Sequence, residues 1–136
     1  MTLSGLLAIY LCFRLKQWLC DYIQPGNIAT TKHKSFLGEG GEALAIHAGG
    51  HSAGTLLIML IFAPQLWWLA GVDFVVHGLI DRAKSVFVEK NKLKDDSIKY
   101  WLTFGLDQEA HNLTHLAYII MVFVTLNGGV PTLITG

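Results

Sequence analysis

Charge is scarce in this chain: Asp, Glu, Lys and Arg make up 15% of its 136 residues, against roughly 25% in an ordinary soluble domain. Ten basic residues balance ten acidic ones, so the broad positive footprint of a nucleic-acid binder is missing and no nucleic-acid partner is expected. Cysteine is nearly absent. Cys12 and Cys20 fall on one expected helix, about 12 Å apart at 1.5 Å per residue, too far to bridge. Neither has the CxxC or Cys/His spacing of a zinc–thiolate site, so both read as small apolar residues. The segment Met1 to Phe13 lacks the basic start of a cleavable signal peptide, and no small-residue cleavage pattern follows; it is expected to stay attached. Ser52 and Ser85 lack the flanking sequence of a nucleophile elbow, which removes serine-based hydrolysis from consideration.

What fills the chain is apolar. Hydrophobic residues reach 52%, and no charged residue occurs from Ala43 to Val72. That run is about one and a half bilayer spans at roughly 20 residues each, so it must fold back. Pro64 is the natural breaker, because it lacks an amide hydrogen and biases Ala63 away from helical geometry. A second uncharged stretch, Ala110 to Gly136, contains the block from Leu116 to Val124. Its helix is expected to begin near Asp96 or Ser97, which offers an N-cap, and to end around Asn127-Gly128-Gly129. The first segment is apolar from Leu3 to Phe13 and is then interrupted by Arg14 and Lys16, read as long side chains snorkelling to the interface. The expected architecture is all-α, a single integral membrane domain over residues 1–136. It is a four-transmembrane-helix bundle with helices at about 3–23, 42–62, 66–89 and 97–126. A soluble buried bundle is the alternative, but so long an uncharged run exceeds what one needs.

Helices that alternate in direction place the ends of the first and third on the same side as the starts of the second and fourth. All ten Lys and Arg residues lie on that side, between Arg14 and Lys34 or between Arg82 and Lys99. The positive-inside rule makes this face cytoplasmic, with both termini outside a bacterial inner membrane.

Ionisable groups inside a bilayer are expensive and usually have partners and purposes. Here they fall at a spacing of four, which puts side chains on one helix face a turn apart. The second helix carries His47 and His51; the third carries Asp73, His77 and Asp81; the fourth carries Asp107, His111 and His115. The first adds Gln17 and Asp21, with Gln24 just beyond. These positions agree in depth, near the basic face. Imidazole with carboxylate suits a divalent transition metal, zinc first and manganese or iron as alternatives, with one or two ions. His47, His51, His77, Asp81, Asp107 and His111 are the candidate ligands. Gln17, Gln24, Asp73, Gln108, Asn112 and His115 are the candidates to orient them. Each has a plainer reading: His51 or His115 in an interhelical hydrogen bond, Asp73 protonated or paired, and the stripes as a polar seam locking the bundle. His33, between two lysines, is expected to be solvated. Lys84, one turn after Asp81, either pairs with it, meets an anionic substrate or is an ordinary interfacial lysine.

Several of these residues form an ordered set: Asp21-Tyr22-Ile23-Gln24, His47 after a lysine-bearing loop, His77 to Asp81 with Lys84, and Phe104-Gly105-Leu106-Asp107-Gln108 followed by His111. Over roughly Gln17 to Leu126 they resemble the small bacterial and phage membrane proteins grouped as domain of unknown function 3307. The run Asp107-Gln108-x-x-His111 is the most specific piece. Gln17 stands where members of that family usually have a histidine. The pattern is also distantly similar to the membrane-bound metal-dependent hydrolases, and the resemblance implies a metal-dependent membrane enzyme.

The leading functional expectation is a hydrolase acting on a phosphoester or lipid-like substrate at the cytoplasmic membrane surface. Asp21 would be its general base, and Lys84 the cation facing an anionic substrate. A metal or proton pathway is the second reading, weakened by the few polar groups beyond His115 and Ser52. The third is a structural or regulatory membrane protein, phage-encoded, whose polar seam fixes the geometry of a homo-oligomer. The lipid bilayer is the expected partner in all three. Gly49, Gly50 and Gly54 permit close helix approach within the chain or between copies.

Overall fold

Thr2 opens the first helix: its hydroxyl accepts the Gly5 amide at 3.2 Å, filling one of the donors that a helix start leaves unpaired. The computed structural model describes residues 1–23 and 28–128, and everything among these residues is helix, turn or loop, with no strand. The long helices are α1 (Leu3–Tyr22), α3 (Glu39–Phe62), α4 (Leu69–Lys90) and α5 (Ile98–Asn127), with a single turn, α2 (Ile28–Thr31), between the first two.

The breaks have local causes. Ala63, ahead of Pro64, leaves helical geometry at φ −156° and ψ 74°, and a 3-10 turn, Pro64–Leu66, reverses the chain, as the steric restriction before proline requires. Ser97 is the N-cap of α5, accepting the Tyr100 amide at 3.2 Å, and α5 stops at Gly128, whose φ of 74° lies in the left-handed region that glycine tolerates. The start of α3 departs from expectation. It begins at Glu39, earlier than the last charged residue before the apolar run, because Glu39 and Glu42 in a first turn are favoured by the helix dipole.

Neighbouring helices run in opposite directions, as the contacts between them require. Along α1 and α5, Met1 meets Asn127, Arg14 meets Asn112 and Gln108 meets Asp21; along α3 and α4, His47 meets Asp81 and Thr55 meets Asp73. The apolar core occupies the half of the bundle away from the basic loops, where Ile9, Phe13, Met59 and Val122 are fully buried among Ile58, Leu69 and Ile119. The polar stripes fill the other half.

Two helices, Leu3–Tyr22 and Glu39–Phe62, are long and apolar enough to cross a membrane. The four expected spans are therefore matched by four long helices of which two meet that standard. Charges recur along α4, and His111, Asn112 and His115 lower the hydropathy of α5.

Candidate metal centre

Each helix delivers its polar groups to the bundle axis through the four-residue spacing, so the stripes stack into layers. In the layer nearest the basic loops, the Asp81 carboxylate is the hub. Its Oδ2 lies 2.8 Å from His47 Nε2 and 2.7 Å from Lys32 Nζ, and its Oδ1 lies 3.6 Å from His111 Nε2. Asp107 Oδ1 is also 3.6 Å from His111 Nε2. Asp21 Oδ1 faces His51 Nε2 at 3.2 Å and His47 Nε2 at 3.5 Å. Its other oxygen accepts from Gln17 Nε2 at 2.8 Å and Gln108 Nε2 at 3.0 Å. These two amides orient the carboxylate that the sequence marked for a catalytic part.

The imidazoles form a stack. His51 and His77 have ring centroids 3.6 Å apart, and His77 and His111 3.9 Å, while His47 Nε2 stands 3.4 Å from His77 Nε2. Two constellations bring one ligand atom from each member within 4.8 Å of all the others: Asp21 with His47, His51 and His77, and His77 with Asp81 and His111. Both could hold a metal ion. His77 belongs to each, and one imidazole nitrogen has one lone pair, so its Nε2 can serve a single ion.

The donor set passes a chemical test of fit. Buried polar atoms normally have hydrogen-bond partners. Here His111 Nε2 and Asp107 Oδ1 are sealed without one among the described residues, and so is His51 Nε2, whose short approach to Asp21 lacks hydrogen-bond alignment. His111 Nε2 faces Asp107 Oδ1 at 3.6 Å and His51 Nε2 faces Asp21 Oδ1 at 3.2 Å, and acceptors set against acceptors are an arrangement that a cation satisfies.

One turn deeper lies a second polar node. The Lys16 ammonium donates to Thr55 Oγ1 at 3.0 Å and to Asp73 Oδ2 at 2.8 Å, and stands 3.0 Å from His115 Nε2; Thr55 also donates to Asp73 at 2.7 Å. Lys16 was expected to snorkel outward. It turns inward instead, 5% exposed, because an aspartate, a threonine and an imidazole await it there. Gly54 makes room: a methyl at that position would stand 2.6 Å from Lys16 Cγ. Asp73 and His115, expected to orient the ligands, make their closest polar contacts within this node.

Above the hub a cavity of about 300 Å³ opens toward the basic loops, lined by Lys32, Lys84, His33, Tyr100, Asp21 and Asp107 among others. Lys84 pairs with Asp107 at 3.2 Å rather than with Asp81. Lys32, which sequence reasoning did not single out, is buried against Asp81. Arg82 holds its loop in place by donating to the carbonyls of Lys32 and Lys34. His33 is partly covered rather than fully solvated and lies 3.8 Å from Glu89.

Of the expected site residues, the structure gathers His47, His51, His77, Asp81, Asp107, His111, Asp21, Gln17, Gln108 and Lys84. Asp73 and His115 lie one turn deeper with Lys16, and Asn112 lies away from both groups. It receives Arg14 Nη1 at 3.3 Å on the outer side of α1 and α5, since position 112 is one residue beyond the inward stripe and points away from it. Gln24 lies outside the described residues.

Searches of curated proteins and of solved structures find no match to this chain. One family does match, over residues 7–134. The chain belongs to the family described as Protein of unknown function (DUF3307).

Proposed function

We propose that this protein is a membrane-embedded, metal-dependent hydrolase that acts on a phosphoester or lipid-like substrate at the cytoplasmic membrane surface. One observation carries the reading: imidazoles and carboxylates from four helices meet beneath a cavity that presents two lysines.

His77, Asp81 and His111 are the residues that would hold the ion, with His47 and Asp107 beside them. When bound there, a zinc, manganese or iron ion would lower the pKa of a water and polarise a phosphoryl oxygen. Asp21, fixed by the Gln17 and Gln108 side-chain amides, would take the proton of the attacking water. Lys84 and Lys32 offer the positive charge that an anionic substrate requires. His51, stacked on His77, limits the rotation of that ring. Gln17 does for Asp21 what a ligand-orienting residue does elsewhere.

The membrane setting of all four long helices is supported by their outer faces. Leu7, Leu11 and Leu15 on α1, Leu57 and Ile61 on α3, Leu79 on α4 and Leu106, Leu113 and Ile120 on α5 are all exposed. Soluble monomers rarely leave contiguous apolar patches beyond a few hundred Å² uncovered. The fully buried Ile9, Phe13, Met59 and Val122 lie beyond the deep node and interrupt any polar route to the other face, which favours a one-sided site over a pathway.

The test is elemental analysis of the detergent-purified protein together with hydrolysis of p-nitrophenyl phosphate. His77→Ala that folds normally should lose both bound metal and activity. A wild type with no transition metal, and with stability unchanged by chelator, would leave only the structural role. Ion flux through reconstituted vesicles would favour the pathway instead.

A further inference from the structure

A second recess lies beside the candidate metal centre. Between α1 and α3 lies a groove of about 370 Å³, walled by Leu19, Cys20, Ile23, Ile28 and Ile46. His47 and Gly50 complete its lining. Its walls are apolar, and three of them, Leu19, Ile23 and Ile46, are exposed on the outer surface of the bundle, the surface that faces acyl chains if the helices span a bilayer. His47, a candidate ligand, belongs to its lining.

The polar cavity and the apolar groove are neighbours. Asp21 lines the first and His47 the second, and His47 Nε2 lies 3.5 Å from Asp21 Oδ1. A molecule with an anionic head and a hydrocarbon tail fits this pairing better than a water-soluble phosphoester, which would leave the groove with no role. The depth agrees as well. Trp18 and Tyr22, exposed near the same end of α1, are residues that favour the membrane interface, where lipid head groups lie.

The geometry points to a phospholipid as the substrate: its phosphate head enters the cavity beside Lys32 and Lys84, and one acyl chain lies in the groove beside Gly50. This rests on the hydrolase reading for its chemistry and names the substrate class. Burial of a chain in the groove supplies binding energy in proportion to the apolar surface it takes from water, less the entropic costs of ordering it. Gly50 is the discriminating position, because a side chain added there meets no atom within 4 Å and projects into unfilled space.

The experiment uses the full chain in phosphatidylcholine nanodiscs doped with phosphatidic acid that carries a diazirine on one acyl chain. After photolysis, adducts should concentrate on Leu19, Cys20 and Ile46, and unlabelled phosphatidic acid should compete where inorganic phosphate does not. Gly50→Leu should lower those adducts about tenfold while adducts on the outer residues Leu113 and Ile120 stay unchanged. Ile46→Trp, at an exposed position, is the second variant should Gly50→Leu fail to fold. Adducts spread evenly over the outer faces and insensitive to both variants would overturn the proposal, as would a crosslinked second copy of the chain in place of the lipid. Labelling needs no turnover, so the two ideas fail separately. Competed labelling without any phosphoesterase activity would retain the lipid site and remove the hydrolase. Metal-dependent hydrolysis of p-nitrophenyl phosphate without labelling would retain the hydrolase and remove the lipid site.

Discussion

The Lys16 ammonium sits 2.8 Å from the Asp73 carboxylate, with the two side chains 4% and 1% exposed. A pair so thoroughly desolvated owes its existence to further hydrogen bonds, which Thr55 and His115 provide. Removing one partner leaves the other charged and alone, a loss of about 3–5 kcal/mol. Lys16→Met is therefore expected to lower the unfolding midpoint in detergent sharply, and adding Asp73→Asn should recover part of the loss. Independent, additive effects of the two substitutions would show that the pair is not coupled.

Gly54 and Gly49 lie on the same helix and should respond oppositely to alanine. At position 54 the new methyl meets Lys16 Cγ at 2.6 Å and Cδ at 3.0 Å, atoms in the middle of a side chain already anchored at its tip. Overpacking of this kind costs typically 1–3 kcal/mol. At position 49 nothing lies within 4 Å, and alanine should stabilise by up to about 1 kcal/mol through helix propensity. Thermal unfolding of the two variants under one detergent condition checks the contrast; a tolerated Gly54→Ala would mean that Lys16 is not held where described.

Metal content should follow the geometry rather than the number of histidines. His111→Ala removes a nitrogen that faces both Asp81 and Asp107, and bound transition metal should fall to background. His33→Ala, at a half-exposed residue in the cavity wall, should leave the stoichiometry at its wild-type value. Equal losses from both variants would separate metal binding from this cluster.

Topology provides a further check. In a chain with Cys12 and Cys20 replaced by alanine, single cysteines at the exposed positions Lys94 and Gln65 should react with impermeant maleimide from opposite sides. Lys94→Cys should be labelled only after the cytoplasmic side is opened, and Gln65→Cys in intact spheroplasts. The reverse pattern would invert the orientation drawn from the basic loops.

The inward stripes were legible because their cause is local. Four-residue spacing puts His47 with His51, Asp73 with His77 and Asp81, and Asp107 with His111 and His115 on shared faces whatever the rest of the chain does. Pro64 and Ser97 announced their breaks for the same reason, since each acts on its own backbone. The lysines did not yield to this reasoning. Lys16, Lys32 and Lys84 have long flexible arms, and sequence spacing cannot say which of several aspartates each will reach. Lys16 found Asp73, Lys32 found Asp81, and Lys84 found Asp107 rather than its own i−3 neighbour. Asn112 shows the converse error, a polar residue near the motif that lies off the stripe.

The amino-acid sequence by itself determined that four long helices would form, two of them apolar enough to cross a membrane, and that each would carry a polar edge, because helix period and hydropathy act over neighbouring residues. Tertiary structure alone decided that those edges share one axis, that the buried ammoniums and carboxylates pair as they do, and that Asp21 of the polar cavity stands beside His47 of the apolar groove. Such features depend on distances between segments far apart in the chain, and only packing sets them.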